Sequence, residues 1–194
     1  MSTPASTRPS TPASAPAPQP IWPVRVLSRA LDQAGDVLTA VHERQLSLPT
    51  PCREWDVARL VTHLVNDPPT FVAMARGEQV DWSAEPEPVT EAWAQRFRSS
   101  ADDLLHLWHQ AGDEARAEQV DRQTAEFAVH TWDLARAVGY AGPLDPEVAE
   151  RGLAFMSAAL TDANRGAAFA PAVPVPDDAP VYERLAAFAG RPVA

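Results

Sequence analysis

Apolar residues recur at intervals of three and four along several stretches of the chain. This spacing puts them on one side of an α-helix, so each stretch predicts an amphipathic helix with one buried face. Four long helices are predicted at residues 24–45, 54–76, 89–110 and 118–138. Two more are predicted at residues 145–160 and 181–189. No stretch alternates as a strand does, so the pattern predicts an all-α protein, a four-helix bundle with a C-terminal helical extension.

Two consecutive prolines, Pro68 and Pro69, fall inside the second predicted helix. Proline lacks a backbone N–H, and its ring clashes with the carbonyl group four residues earlier. We therefore expect a kink or a break just after the turn that carries His63.

The first twenty residues are dominated by proline, alanine, serine and threonine. Such a stretch cannot bury enough apolar surface to offset the entropy of ordering. We expect residues 1–20 to form a disordered tail and residues 21–194 to form one helical domain. There is no apolar run of membrane-spanning length and no signal pattern at the N-terminus, which favours a cytoplasmic location.

The charge of the chain limits its partners. The formal net charge is -10, and all 16 basic residues are arginine. An acidic chain argues against nucleic acid or an anionic membrane as the partner, because both need a basic surface. The absence of lysine excludes Schiff-base chemistry and a P-loop, and the single cysteine, Cys52, excludes an internal disulfide. We expect a small-molecule substrate and a monomer or homodimer.

One carboxylate and one imidazole, Glu126 and His130, lie one helical turn apart on the fourth predicted helix. Apolar residues cover most of the rest of that helix, which predicts that it is buried. A buried carboxylate needs a partner, because leaving it unpaired is costly. That partner is either a metal ion or a hydrogen-bonded network that includes Asp133. His63, at the edge of the apolar face of the second helix, is either a third ligand or a core histidine.

Other residues with similar chemistry fit a site less well. Asp102, His106 and His109 point away from the apolar face of the third helix, so we expect them to be exposed. His42 is a weaker candidate ligand beside the first helix. Cys52 precedes a helix start, where the helix dipole would lower its pKa, although a small linker residue is the simpler interpretation.

Three segments carry a family resemblance. They are Thr50-Pro-Cys-Arg-Glu-Trp-Asp-Val-Ala-Arg-Leu-Val-Thr-His-Leu-Val, Glu126-Phe-Ala-Val-His-Thr-Trp-Asp-Leu-Ala-Arg-Ala-Val-Gly and the ending from Ala168. Together they resemble the DinB-like, mycothiol-dependent maleylpyruvate isomerase metal-binding domain family, in its actinobacterial single-domain branch. The resemblance implies an up-down-down-up four-helix bundle with a divalent metal, usually zinc, on inward-facing side chains. It places the ligands at His63, Glu126 and His130.

The expected function follows from this ligand set. Three protein ligands leave a coordination position open, where a low-molecular-weight thiol such as mycothiol would bind as a thiolate. We expect a transferase or isomerase that acts on a small electrophile, with Asp133 orienting His130 or pairing with an arginine. No catalytic residue is assigned. The alternatives are a cofactor-independent biosynthetic enzyme that uses the bundle cavity, or a non-catalytic helical module that presents Trp and Leu side chains of the third helix to a partner.

Overall fold

The regular elements of the described chain are helices. The computed structural model describes residues 23–53, 55–81, 84–111, 117–165 and 169–193, and the predicted disordered tail lies outside them. The helices are α1 (Pro23–Ala40), α2 (Val57–Ala75), α3 (Trp93–Ala111), α4 (Ala117–Val138), α5 (Pro146–Ala159) and α6 (Val181–Phe188), with a 3₁₀ turn at Glu43–Gln45. Within the described residues the β-structure is an isolated bridge between Pro49 and Asp56. The all-α prediction is confirmed.

Helix α4 is at the centre of the bundle. It packs against α1, α2, α5 and α6, while α3 packs against α1 and α2. Phe127 of α4 contacts Phe71 of α2 and Phe97 of α3 edge to face, with ring centroids 5.8 and 5.9 Å apart. Because α4 has neighbours on so many sides, even its polar residues are buried, among them Gln123, Thr124, His130, Thr131 and Asp133.

The first two helices differ from the prediction at the loop that joins them. Helix α1 ends at Ala40 instead of residue 45, and the chain then makes a 3₁₀ turn in which the backbone N–H of His42 donates to the side chain of Gln45. Helix α2 begins at Val57 because Asp56 caps it, accepting a hydrogen bond from the backbone N–H of Arg59 at 2.8 Å. Trp55 therefore precedes the helix.

Helix α3 begins at Trp93 and not at residue 89. Ala92 has a φ of 50°, which breaks the helical path just before Trp93. Val89 is buried, and its backbone N–H donates to the hydroxyl of Thr62 at 3.1 Å. Val89, where the predicted helix began, instead anchors a loop against α2.

Of the kink or break predicted at Pro68 and Pro69, the break is wrong, because α2 is continuous from Val57 to Ala75. The two prolines remove the backbone donors to the carbonyl groups four residues earlier and crowd those groups. Packing on both sides of the prolines holds the helix, since Leu64 and Phe71 are both in the core. The side chain of Thr70 also bonds within the helix and donates to a backbone carbonyl at 2.7 Å.

The C-terminal segment, residues 169–193, folds back on the bundle. Helix α6 packs against α4 and α5, and the guanidinium of Arg165 donates to the carbonyl groups of Ala170 and Phe188. Gly190 has a φ of 78°, and a Cβ there would lie 2.4 Å from the carbonyl oxygen of Ala170. The glycine therefore permits the tight turn that brings Arg191 into the interior. Within the described residues, no helix is long and apolar enough to cross a bilayer.

Candidate metal centre

Helices α2 and α4 bring His63, Glu126 and His130 together. The Nε2 atoms of His63 and His130 lie 2.9 and 3.1 Å from the same oxygen, Oε1 of Glu126. His130 is buried, whereas His63 and Glu126 are partly exposed. The residues chosen from the sequence as a ligand set thus face one point in the structure.

The three side chains fit a divalent cation. Their ligand atoms all lie within 4.8 Å of one another. Ligand atoms about 2.0–2.2 Å from one zinc ion are separated by roughly 3.0–3.5 Å, close to the separations found here. Two imidazoles and one carboxylate are also the donor set of catalytic zinc sites that keep an open position.

The protonation states of the two α4 residues are linked. Burial opposes the charged form of His130, but the Glu126 carboxylate and hydrogen bonds to Asp133 and Glu126 raise its pKa to about 10. Burial likewise opposes ionisation of Glu126. The charges and hydrogen bonds of His130 and His63 outweigh the effect of burial, so the pKa of Glu126 lies well below its usual range. Without a metal, an imidazolium and a carboxylate therefore satisfy each other.

Asp67 adds a carboxylate that the sequence analysis missed. Its Oδ2 lies 3.2 Å from Nε2 of His63, but the two atoms are not in hydrogen-bonding orientation, and within the described chain this buried oxygen has no hydrogen-bond partner. Burial raises the pKa of Asp67 to about 7, and the nearby His63 limits the rise. The sequence could have indicated Asp67, because it follows His63 by four residues, the same spacing that separates Glu126 and His130.

The second ring nitrogen of His130 contacts Asp133. Nδ1 lies 3.2 Å from Oδ2 of Asp133, a carboxylate with no exposed surface. Arg191 from the C-terminal segment donates to the same carboxylate from Nε and Nη2, at 3.3 and 3.2 Å. Asp133 therefore makes both of the contacts considered from the sequence, one to the imidazole and one to an arginine.

Cys52 lies beside Asp133 and His130, with possible ligand atoms of the three residues all within 4.8 Å of one another. Nη2 of Arg191 is 3.5 Å from Sγ of Cys52. Burial raises the pKa of the Cys52 thiol. The charges of His130 and Arg191 lower it, but their effect is smaller than that of burial. The simpler interpretation, a small residue in the linker before α2, agrees with the structure, whereas the alternative of a pKa lowered by the helix dipole does not, because Cys52 is buried and α2 begins five residues later. The thiol is not activated as a nucleophile.

Trp55 covers the two histidines. Its ring stacks on His130, with centroids 5.5 Å apart and planes 17° apart, and meets His63 edge on at 4.7 Å. The sequence pattern assigned Trp55 to the apolar face of the second helix. Because it precedes that helix, its ring is free to lie across α2 and α4 and to wall one side of the site.

A cleft of about 560 Å³ opens beside His63. Its floor includes Trp55, His63 and Asp67, and residues from the segment between α2 and α3 form the opposite wall. A larger depression of about 690 Å³ lies around Asp103 and His106. The smaller cleft is the better candidate site, because its lining includes His63, one of the three convergent residues.

The remaining sequence candidates lie on the surface. Asp102, His106 and His109 are exposed, as expected, and His42 is exposed as well. On α3, Leu104 and Trp108 are buried rather than available to a partner. In the described chain, Leu48 is the large apolar side chain that is exposed, which removes the argument from α3 for a docking module.

Comparison with known proteins places these residues in a family. The domain described as Mycothiol maleylpyruvate isomerase N-terminal domain matches residues 27–135, more than half of the chain. The chain belongs to this family. The matched residues include His63, Asp67, Glu126, His130 and Asp133, whereas Arg191 lies beyond them. The protein is thus a DinB-like helical domain of a metal-binding, mycothiol-related family.

Two relatives are found in Mycobacterium tuberculosis, the uncharacterized proteins MT0763 and Rv0738. Each is 32% identical over 192 residues, which cover 88% of this chain and 98% of the relative. No solved structure matches the chain.

Proposed function

We propose that this protein holds a zinc ion on His63, Glu126 and His130 and uses it to activate a low-molecular-weight thiol of the mycothiol type. The thiol would be transferred to a small electrophile, or would assist its isomerisation. The observation that supports the proposal is the convergence of two imidazoles and one carboxylate beside an open cleft of about 560 Å³. We place the reaction in the cytoplasm, with the chain acting as a monomer or homodimer.

Each side chain has a physical role in this proposal. When bound, the cation supplies a Lewis acid that lowers the pKa of a coordinated thiol toward neutral pH. Asp133 accepts a hydrogen bond from Nδ1–H of His130, which fixes the tautomer and leaves Nε2 available as a ligand. Trp55 limits rotation of both imidazoles and shields them from water.

The proposal is tested by metal analysis and turnover of the same samples. Native mass spectrometry of the purified full chain, with and without added thiol, should show one bound divalent cation. The thiol should bind only to the chain that holds the cation. The variant His130→Ala should lose both metal retention and metal-dependent thiol transfer. The matched control is His106→Ala, an exposed histidine, which should keep both.

Two results would favour the alternatives. Full activity in the His130→Ala variant would mean that the cavity works without metal, as in a cofactor-independent biosynthetic enzyme. A tightly held cation with no exchangeable ligand would favour a non-catalytic helical module.

A further inference from the structure

The charged side chains of the cleft beside the metal centre are mostly acidic. Among its described lining residues, three carboxylates, those of Asp67, Asp81 and Glu85, face one guanidinium, that of Arg59. Arg59 lies over the ring of Trp55 and 3.7 Å from the carboxylate of Glu85, so its charge is already partly offset. The Glu85 side chain is 85% exposed and screened by solvent, whereas the carboxylate of Asp67 is buried.

Asp67 is the carboxylate closest to the proposed metal ligands. It is only 4% exposed, it lines the cleft, and its Oδ2 lies 3.2 Å from Nε2 of His63. Within the described chain, that oxygen accepts no hydrogen bond. A buried carboxylate oxygen without a donor carries a desolvation cost that a bound molecule could offset by supplying one. The unmet hydrogen bond lies where a molecule in the cleft would approach His63.

We propose that the cleft selects a ligand with a hydrogen-bond donor, an amine or a hydroxyl, next to the atom that reaches the metal centre. Asp67 is the specificity-determining residue, and it accepts the hydrogen bond from that donor. A ligand with a carboxylate at the same position is rejected, because it would place two negative charges together in a poorly solvated site. This inference rests on the proposed function, since it concerns the molecule that occupies the same site.

Three small thiols of similar size test the proposal. They are 2-aminoethanethiol, 2-mercaptoethanol and mercaptoacetate, which carry an amine, a hydroxyl and a carboxylate near the sulfur. Binding to the cobalt-loaded full chain is followed by the absorption that a cobalt–thiolate bond produces. We expect the dissociation constant to rise from the amine to the hydroxyl to the carboxylate, by about tenfold or more overall, as one charged contact is worth roughly that factor.

The thiols also differ in the pKa of their sulfur and in whether their second group can coordinate cobalt. The decisive quantity is therefore the dissociation constant of the carboxylate thiol divided by that of the amine thiol, compared between variants. Asp67→Asn keeps the shape and removes the charge, and it should reduce the ratio by about tenfold. The control Asp102→Asn, at an exposed position on α3, should leave the ratio unchanged. If Asp67→Asn fails to fold or to hold cobalt, Asp67→Ser, which removes the same charge, takes its place and should reduce the ratio in the same direction.

The outcomes separate this inference from the proposed function. An unchanged ratio in Asp67→Asn, or in Asp67→Ser where that variant has to be used, overturns the specificity proposal while thiol binding stands. Failure of the cobalt-loaded wild type to bind any of the three thiols refutes the proposed function and this inference together.

Discussion

The two ring nitrogens of His130 have different partners. Nε2 faces Glu126 and Nδ1 faces Asp133, at 3.1 and 3.2 Å, so the ring lies between two carboxylates. In the metal-free protein this arrangement raises the pKa of His130 to about 10. A metal ion must displace the proton from Nε2, since a ligating imidazole is neutral. The same contacts that prepare the ligand therefore also make metal binding dependent on pH.

Zinc binding at neutral pH should release protons. His130 starts protonated, and we expect about one proton or more to leave for each ion bound, with Asp67 able to add to that number. Titration of zinc into metal-free protein at pH 7, in weak buffer with an indicator dye, measures the release. His106→Ala should release as many protons as the wild type. Zinc binding without release would mean that His130 is neutral before the metal arrives.

The stability of the metal-free protein should fall as the pH rises from 6 to 9. The folded-state pKa of His130, about 10, is above the ordinary value of 6.5, so its contribution is complete below pH 6.5 and is lost as the pH rises through 10. Asp67, with a pKa raised from 3.8 to about 7, has the same sign and loses its contribution as the pH rises through 7. Urea unfolding at pH 6 and pH 9 in the presence of a chelator measures the difference.

The stability of the zinc-loaded protein should depend on pH in the opposite direction. Its histidine ligands are neutral when folded but titrate near pH 6.5 when unfolded, so its stability should rise from pH 6 toward pH 7. Parallel pH profiles with and without zinc would contradict the assignment of His130 as a ligand.

At the scale of elements, the sequence predicted the helices better than their ends. The periodicity of apolar residues identified α1 to α6, because burial of one face decides where a helix forms. It could not fix the starts of α2 and α3, which depend on the Asp56 cap and on the positive φ of Ala92. The sequence also overstated the effect of Pro68. Tertiary packing keeps α2 continuous although a backbone hydrogen bond is lost there.

The residues of the candidate site also divide into those that helical spacing could predict and those that it could not. Glu126 and His130 could be found because one helix fixes their separation, and Asp67 could have been found from His63 in the same way. Arg191 carries no such signal. It reaches Asp133, 58 residues earlier in the chain, only because the C-terminal segment folds back across α4. Contacts set by the path of the chain, and not by helical spacing, require the structure.

Removal of Arg191 should weaken the metal centre through Asp133. In Arg191→Ala the buried Asp133 carboxylate would keep only its contact to His130, and breaking a buried ion pair in this way costs up to roughly 3–5 kcal/mol of folding stability. Loss of the group that holds a ligand in place typically lowers metal affinity by about 10–100-fold. Chemical denaturation and zinc competition with a chromophoric chelator measure the two effects. Arg184→Ala, an exposed arginine on α6, is the control and should change neither.

A merely structural role for Arg191 would give a different result. Stability would fall, but the zinc affinity of the folded fraction would equal that of the wild type. Arg191→Lys should recover part of the stability, because it restores a positive charge without the two-nitrogen contact to Asp133.

On the scale of the whole molecule, the site joins parts that are distant in the sequence. His63 comes from α2, Glu126 and His130 come from α4, and Arg191 comes from the C-terminal segment. A ligand that binds only the folded arrangement stabilises all of these parts together, by about 2.7 kcal/mol at a concentration one hundred times its dissociation constant. For a chain of this length, that gain corresponds to a rise in Tm of roughly 5–10 °C.

Zinc should therefore slow hydrogen exchange far from its own ligands. Because Asp133 connects His130 to Arg191, fixing the imidazole also restricts the turn at Gly190, and the amides of residues 181–193 should gain protection along with those of α4. Exchange mass spectrometry with and without zinc measures this protection, and calorimetry measures the rise in Tm. In Arg191→Ala the protection of α4 should persist in reduced form, while that of the C-terminal segment disappears. Protection confined to α2 and α4 in the wild type would show that the C-terminal segment is independent of the metal centre.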